Sequence, residues 1–118
     1  MLQNFYFLDL DIYKCDLDFK VMDKNERSIL FETSIVVRPD VKRLNIIVDN
    51  FFNKDKHFIN EYLVNTIQRK VKNIVKSKRM ELEKDDLIIE EMEIVITKFI
   101  FDNGFRLVDE MNVFYKLQ

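Results

Sequence analysis

Alanine is absent from the 118 residues, and glycine, proline, cysteine and histidine each occur once. Each scarcity closes off a class of chemistry. The only cysteine, Cys15, cannot form an internal disulfide, and a lone thiol fits a reducing compartment better than secretion. One cysteine and one histidine also exclude zinc sites of the usual Cys/His type by counting. A glycine-rich phosphate loop cannot be built from Gly104 alone. His57 has no Ser or Cys nucleophile near it in sequence, so an exposed or cap-proximal role is favoured over general base catalysis. No catalytic residue, metal or cofactor is assigned, and the chain is read as non-enzymatic.

Long apolar runs are missing too. None approaches the roughly 18 residues that a membrane span needs. Phe5 to Leu8 has no basic residue ahead of it and meets Asp9 and Asp11 at once, unlike a signal peptide. A cytoplasmic protein with no membrane partner is the expectation. The scarce residues are those of GC-rich codons, while Ile, Asn, Lys and Phe are abundant. That balance points to an AT-rich genome, such as that of a low-GC bacterium, its phage or another mobile element.

What is present suffices for a core: 47% of the residues are apolar and eleven are phenylalanine. The length falls in the range of one domain, so residues 1 to 118 are taken as a single unit. The net charge of -2 is the small difference between 21 acidic and 19 basic residues. The whole molecule therefore has no strong field for nucleic acid or anionic membrane, and electrostatic recognition must be local.

With no repeat or linker, the chain divides by hydrophobic period alone. Leu8, Leu10 and Ile12 alternate with Asp9 and Asp11. The parity then flips, so that Cys15, Leu17, Phe19 and Val21 alternate with charged residues, which predicts a strand bent near Ile12-Tyr13. Asp23 to Arg27 reads as a turn and Ile29 to Val37 as the returning strand. After Pro39 and Asp40, residues 44 to 48 fit either a strand or a helical turn, and Ile46-Ile47-Val48 tips them towards strand. From about Asp55 to Arg79 the period is helical: Ile59, Leu63, Ile67, Val71, Ile74 and Val75 share one arc, with Asp55 or Asn53 able to cap it.

Asn103-Gly104 suits a type I′ turn. Between two alternating runs it predicts a terminal hairpin with Ile96 opposite Met111 and Lys98 opposite Asp109. The expected fold is α+β: an antiparallel sheet of four to five strands in the order β-β-(β)-α-β-β, with one long helix on one face. A helix of roughly 25 residues is about 37 Å long. A compact chain of this length has a radius of gyration near 13 to 14 Å. The strands must bend sharply or the molecule must be elongated.

Three constellations bear on function. Asp9 and Asp11, with Asp16 and Asp18, form Asp-x-Asp pairs of a kind that could hold a hard cation such as Mg²⁺. The solvated face of an amphipathic strand explains them more simply, and no metal site is assigned. Arg69, Lys72, Lys76 and Arg79 form one helical stripe, a candidate polyanion contact that an ordinary solvated face also explains. Val95, Phe99, Phe101, Val108 and Phe114 fall on the second face of the expected hairpin. Several phenylalanines together are seldom exposed on a small monomer, so either another strand or loop of the same chain covers these five or they form an intermolecular contact, and they are the candidate protein interface. The resulting expectation is a non-enzymatic interaction protein, acting as a homo-oligomer or as a binder or inhibitor of another macromolecule. The alternative is a nucleic-acid-binding module using the basic stripe.

Overall fold

The structure, a computed structural model, describes residues 10 to 78 and 86 to 118. Among these residues it is an α+β fold in which a four-stranded antiparallel sheet carries helices on one face. Strands β1 (Tyr13–Met22) and β2 (Ser28–Pro39) pair along ten consecutive positions, from Tyr13 opposite Val37 to Met22 opposite Ser28. Strict alternation sets the two faces: Tyr13, Cys15, Leu17, Phe19 and Val21 are buried, and the residues between them are exposed. Phe19 lies directly opposite Phe31, with their rings stacked at 5.2 Å between centroids.

The turn from Asp23 to Arg27 is built by one side chain. The buried Asp23 carboxylate accepts hydrogen bonds from the Asn25 and Arg27 N–H groups, both at 2.9 Å, and from Arg27 Nε at 3.2 Å. This lets Glu26 sit at a φ of 61°.

After β2, Asp40 caps a single 3₁₀ turn (Val41–Arg43), accepting from the Lys42 N–H. Helix α1 (Leu44–Phe51) follows directly. Residues 44 to 48 are thus helical, not strand. Leu44, Ile47, Val48 and Phe51 recur at the i, i+3, i+4, i+7 spacing of one helix face, and the burial of Ile47 and Phe51 outweighs the β-preference of Ile46-Ile47-Val48.

Helix α2 (Lys56–Lys76) matches the sequence reading closely. Asp55 is its N-cap, accepting from the Phe58 N–H at 2.8 Å, and Ile59, Leu63, Ile67, Val71 and Val75 are buried. Asn60 donates to the Lys14 carbonyl near one end of β1. At the other end, Lys24 N–H donates to the Lys78 carbonyl. The helix therefore runs along the strand pair. A ten-residue strand at about 3.3 Å per residue and a 21-residue helix at about 1.5 Å per residue are both slightly over 30 Å long. The radius of gyration is 16.2 Å, so the elongated alternative holds.

The last third departs from the hairpin expectation. Residues 86 to 102 form helix α3 (Asp86–Asp102), so Ile96 does not face Met111 across a ladder. Its buried residues, Ile88, Ile89, Met92, Ile96, Phe99 and Ile100, follow a helical period and pack with α2 and the sheet. Asn103-Gly104 ends this helix instead of turning a hairpin. Gly104, at a φ of 88°, donates its N–H to the Phe101 carbonyl, and the Asn103 side chain donates to the Phe99 carbonyl.

Two short strands complete the sheet: β3 (Phe105–Leu107) and β4 (Tyr115–Leu117) pair with opposite ends of β2. Leu107 is level with Val37 and Tyr115 with Phe31, so the seven residues 108 to 114 oppose the five residues 32 to 36. The surplus leaves the ladder as an excursion. It is pinned at its exit by the Phe114 N–H donating to Thr33 Oγ1 at 2.8 Å.

Candidate functional site

The five residues of the expected interface do not share a face. Phe99 is buried and Val95 half-buried in α3, whereas Phe101, Val108 and Phe114 are exposed. Phe101 belongs to the helix, and Val108 and Phe114 sit at the two ends of the excursion after β3. Their grouping depended on the hairpin register and is lost with it.

A different apolar stripe takes its place. Leu87, Ile94 and Phe101 are 78%, 61% and 54% exposed, each seven residues from the next on α3. At about 100° per residue, a seven-residue step returns to within roughly 20° of its starting direction. The three therefore form one line down the outer side of the helix, opposite its buried arc. A shallow groove of about 520 Å³ lies along the Ile94 to Phe101 part of this line, bounded by Glu90, Glu93, Ile94, Thr97, Lys98 and Phe101. The seven-residue spacing is visible in the sequence, but only once the segment is read as a helix.

Charge is graded along the stripe. Its N-terminal half carries Asp86, Glu90, Glu91 and Glu93, of which Glu91 pairs with Lys78 at 3.2 Å. Its C-terminal half carries Lys98, which pairs with Asp102 at 2.7 Å, and Arg43, which comes from the 3₁₀ turn. The Arg43 guanidinium lies 3.5 Å from the centroid of the Phe101 ring, a cation–π contact that orders both groups. Arg43 Nη1 is buried without a hydrogen-bond partner.

The basic stripe of α2 is partly assembled. Arg69 and Lys76 are exposed, and together with Asn65, Gln68, Lys72 and Asn73 they line a small polar groove. Lys72 is half-buried, its ammonium 5.5 Å from the Phe19 ring centroid. Arg79 lies outside the described residues.

On the outer face of the sheet, Asp16 accepts from the Ser34 hydroxyl and Asp18 stands opposite Glu32. The Asp11 carboxylate accepts from the Ile12 N–H, and Asp9 lies outside the described residues. Among the described residues, no group of three or more His, Cys, Asp or Glu side chains is placed to hold a metal ion. His57 is exposed near the start of α2, 3.7 Å from the Glu61 carboxylate. Cys15 is buried, and its thiol pKa is pushed up to about 12 by burial and by the neighbouring Asp16 charge.

No helix among the described residues is long and apolar enough to cross a membrane. Neither a family model nor a curated protein matches the chain.

Proposed function

We propose that the protein is a non-enzymatic interaction module whose recognition surface is the outer face of α3. The observation that supports this reading is the line Leu87, Ile94 and Phe101, three large apolar side chains each more than half exposed, the last two bordering a shallow groove. Exposed apolar patches with a polar rim are characteristic of protein–protein contact sites. Glu90, Glu93 and Lys98 supply that rim. Phe101, held beneath Arg43, is already ordered, which lowers the entropic cost of using it as an anchor.

The test uses Ile94→Cys, a small change at an exposed position. Cys15 is buried with a strongly raised pKa, so a maleimide added near neutral pH should label position 94 selectively. In dilute purified protein the label should go on rapidly. In an extract of the source cell, position 94 should be protected by at least tenfold in rate, an expectation drawn from the burial of anchor residues in interfaces. Equal labelling in dilute protein, in concentrated protein and in the extract would sink the proposal.

A second reading, a polyanion contact, rests on the polar groove that Arg69 and Lys76 share with amide side chains on α2. Amides and cations along one face suit phosphate oxygens as well as they suit water.

A further inference from the structure

Resting on that reading of α3, we infer that the partner of this surface is a second copy of the same chain, docked antiparallel with Ile94 at the two-fold axis. The argument is self-complementarity. Leu87 and Phe101 lie seven residues to either side of Ile94, and Glu90 and Lys98 lie four residues to either side. At about 100° per residue all five positions fall within roughly 40° of the direction of Ile94. Reversing one helix against another about Ile94 brings Leu87 level with Phe101 of the second copy, and Glu90 level with its Lys98. Both contacts occur twice, as a closed two-fold interface requires.

The charge gradient selects the same arrangement. The acidic half of each stripe, with Asp86 and Glu90, meets the half of the other that carries Lys98 and Arg43. A parallel pairing would instead set Glu90 against Glu90 and Lys98 against Lys98. Lys98 is free to exchange partners, because its ion pair with Asp102 is largely exposed and such pairs contribute little. Opposed helix dipoles add to the preference for the antiparallel form. A contact centred on one helix of 17 residues, about 25 Å long, sits at the small end of specific interfaces, so the dimer should form in the micromolar range.

Sedimentation of the full chain from about 1 to 500 μM tests the inference, a span chosen to bracket that affinity range. The wild type should pass from monomer to dimer across it. Glu90→Lys and Lys98→Glu, each alone, should raise the dissociation constant on the order of tenfold or more by setting like charges level in both symmetric contacts. The double exchange, Glu90→Lys with Lys98→Glu, should restore the dimer, because opposite charges are again level in both contacts. Circular dichroism on each variant separates loss of pairing from loss of fold.

A chain that stays monomeric throughout would overturn the inference. So would a dimer whose two single reversals are not rescued by the double exchange. The Ile94→Cys label distinguishes this failure from failure of the broader reading. Protection that rises with concentration in purified protein supports the second copy. Protection confined to the cell extract assigns the same face to a different protein and ends the homodimer.

Discussion

Gly104 shows how one residue type can serve two local structures. As the only glycine, beside an asparagine, it satisfies the demand of a type I′ turn for positive φ, and equally the demand of a helix C-terminus. The structure uses the second. A β-carbon at position 104 would stand 2.5 Å from Ile47 Cγ1 and 3.3 Å from the Arg43 carbonyl oxygen, so the glycine also permits close approach of α3 to α1. Gly104→Ala should therefore destabilise the fold by more than the 1 to 2 kcal/mol or so typical of a left-handed non-glycine residue, because Ile47 must also move. Chemical denaturation measures this. A loss below about 0.5 kcal/mol, the size of an ordinary surface substitution, would mean that neither the backbone conformation nor the Ile47 contact constrains the site.

At the scale of elements, β1, β2 and α2 were legible because each has a single period. Cys15, Leu17, Phe19 and Val21 admit only a strand, and Ile59, Leu63, Ile67, Val71 and Val75 only a helix. In α3 the apolar residues fill two faces. Met92, Ile94, Ile96 and Ile100 alternate like a strand, while Ile88, Met92, Ile96 and Phe99 recur like a helix. The outward Ile94 and Phe101 are what blurred the period, and they are also the candidate site, so the residues that hid the helix are those proposed to function. The basic stripe of α2 was legible for the opposite reason: its helix was assigned correctly, so Arg69 and Lys76 fell where expected. The register of β1 and β2 makes a separate prediction. Asp18 is directly opposite Glu32 on the exposed face, with Asp16 one position further along that face. Like charges so placed oppose pairing, and an opposite pair contributes roughly 0.2 to 1 kcal/mol. Asp18→Lys should raise the midpoint of urea unfolding at low salt, and the gain should shrink as salt is added. An unchanged or lowered midpoint would show that the Asp18 and Glu32 side chains avoid each other at no cost.

For the whole molecule, a net charge of -2 conceals a sorting of charge by surface. The groove on α2 carries Arg69, Lys72 and Lys76, whereas the first half of α3 is acidic. The two surfaces are close: Lys78, two residues beyond Lys76, pairs with Glu91 of α3 at 3.2 Å, so a polyanion approaching the end of α2 meets α3 carboxylates within a Debye length of about 8 Å in physiological salt. Local charge thus decides whether nucleic acid binds, and three described basic residues are few. Each neutralised phosphate lowers the logarithm of the binding constant by about 0.9 per tenfold rise in salt. A stripe of this size should consequently hold double-stranded DNA only at low salt and release it near physiological salt. Arg69→Gln with Lys76→Gln is the appropriate variant. Both side chains are exposed, Lys72 keeps its contact with Phe19, and glutamine avoids placing an acid on the C-terminal turn of α2. If the stripe is a solvated face, wild type and variant should elute together from immobilised DNA at about 0.15 M salt. Retention of the wild type there, with a salt slope that falls by about 2 in the variant and an unchanged melting temperature, would transfer the functional reading from α3 to α2.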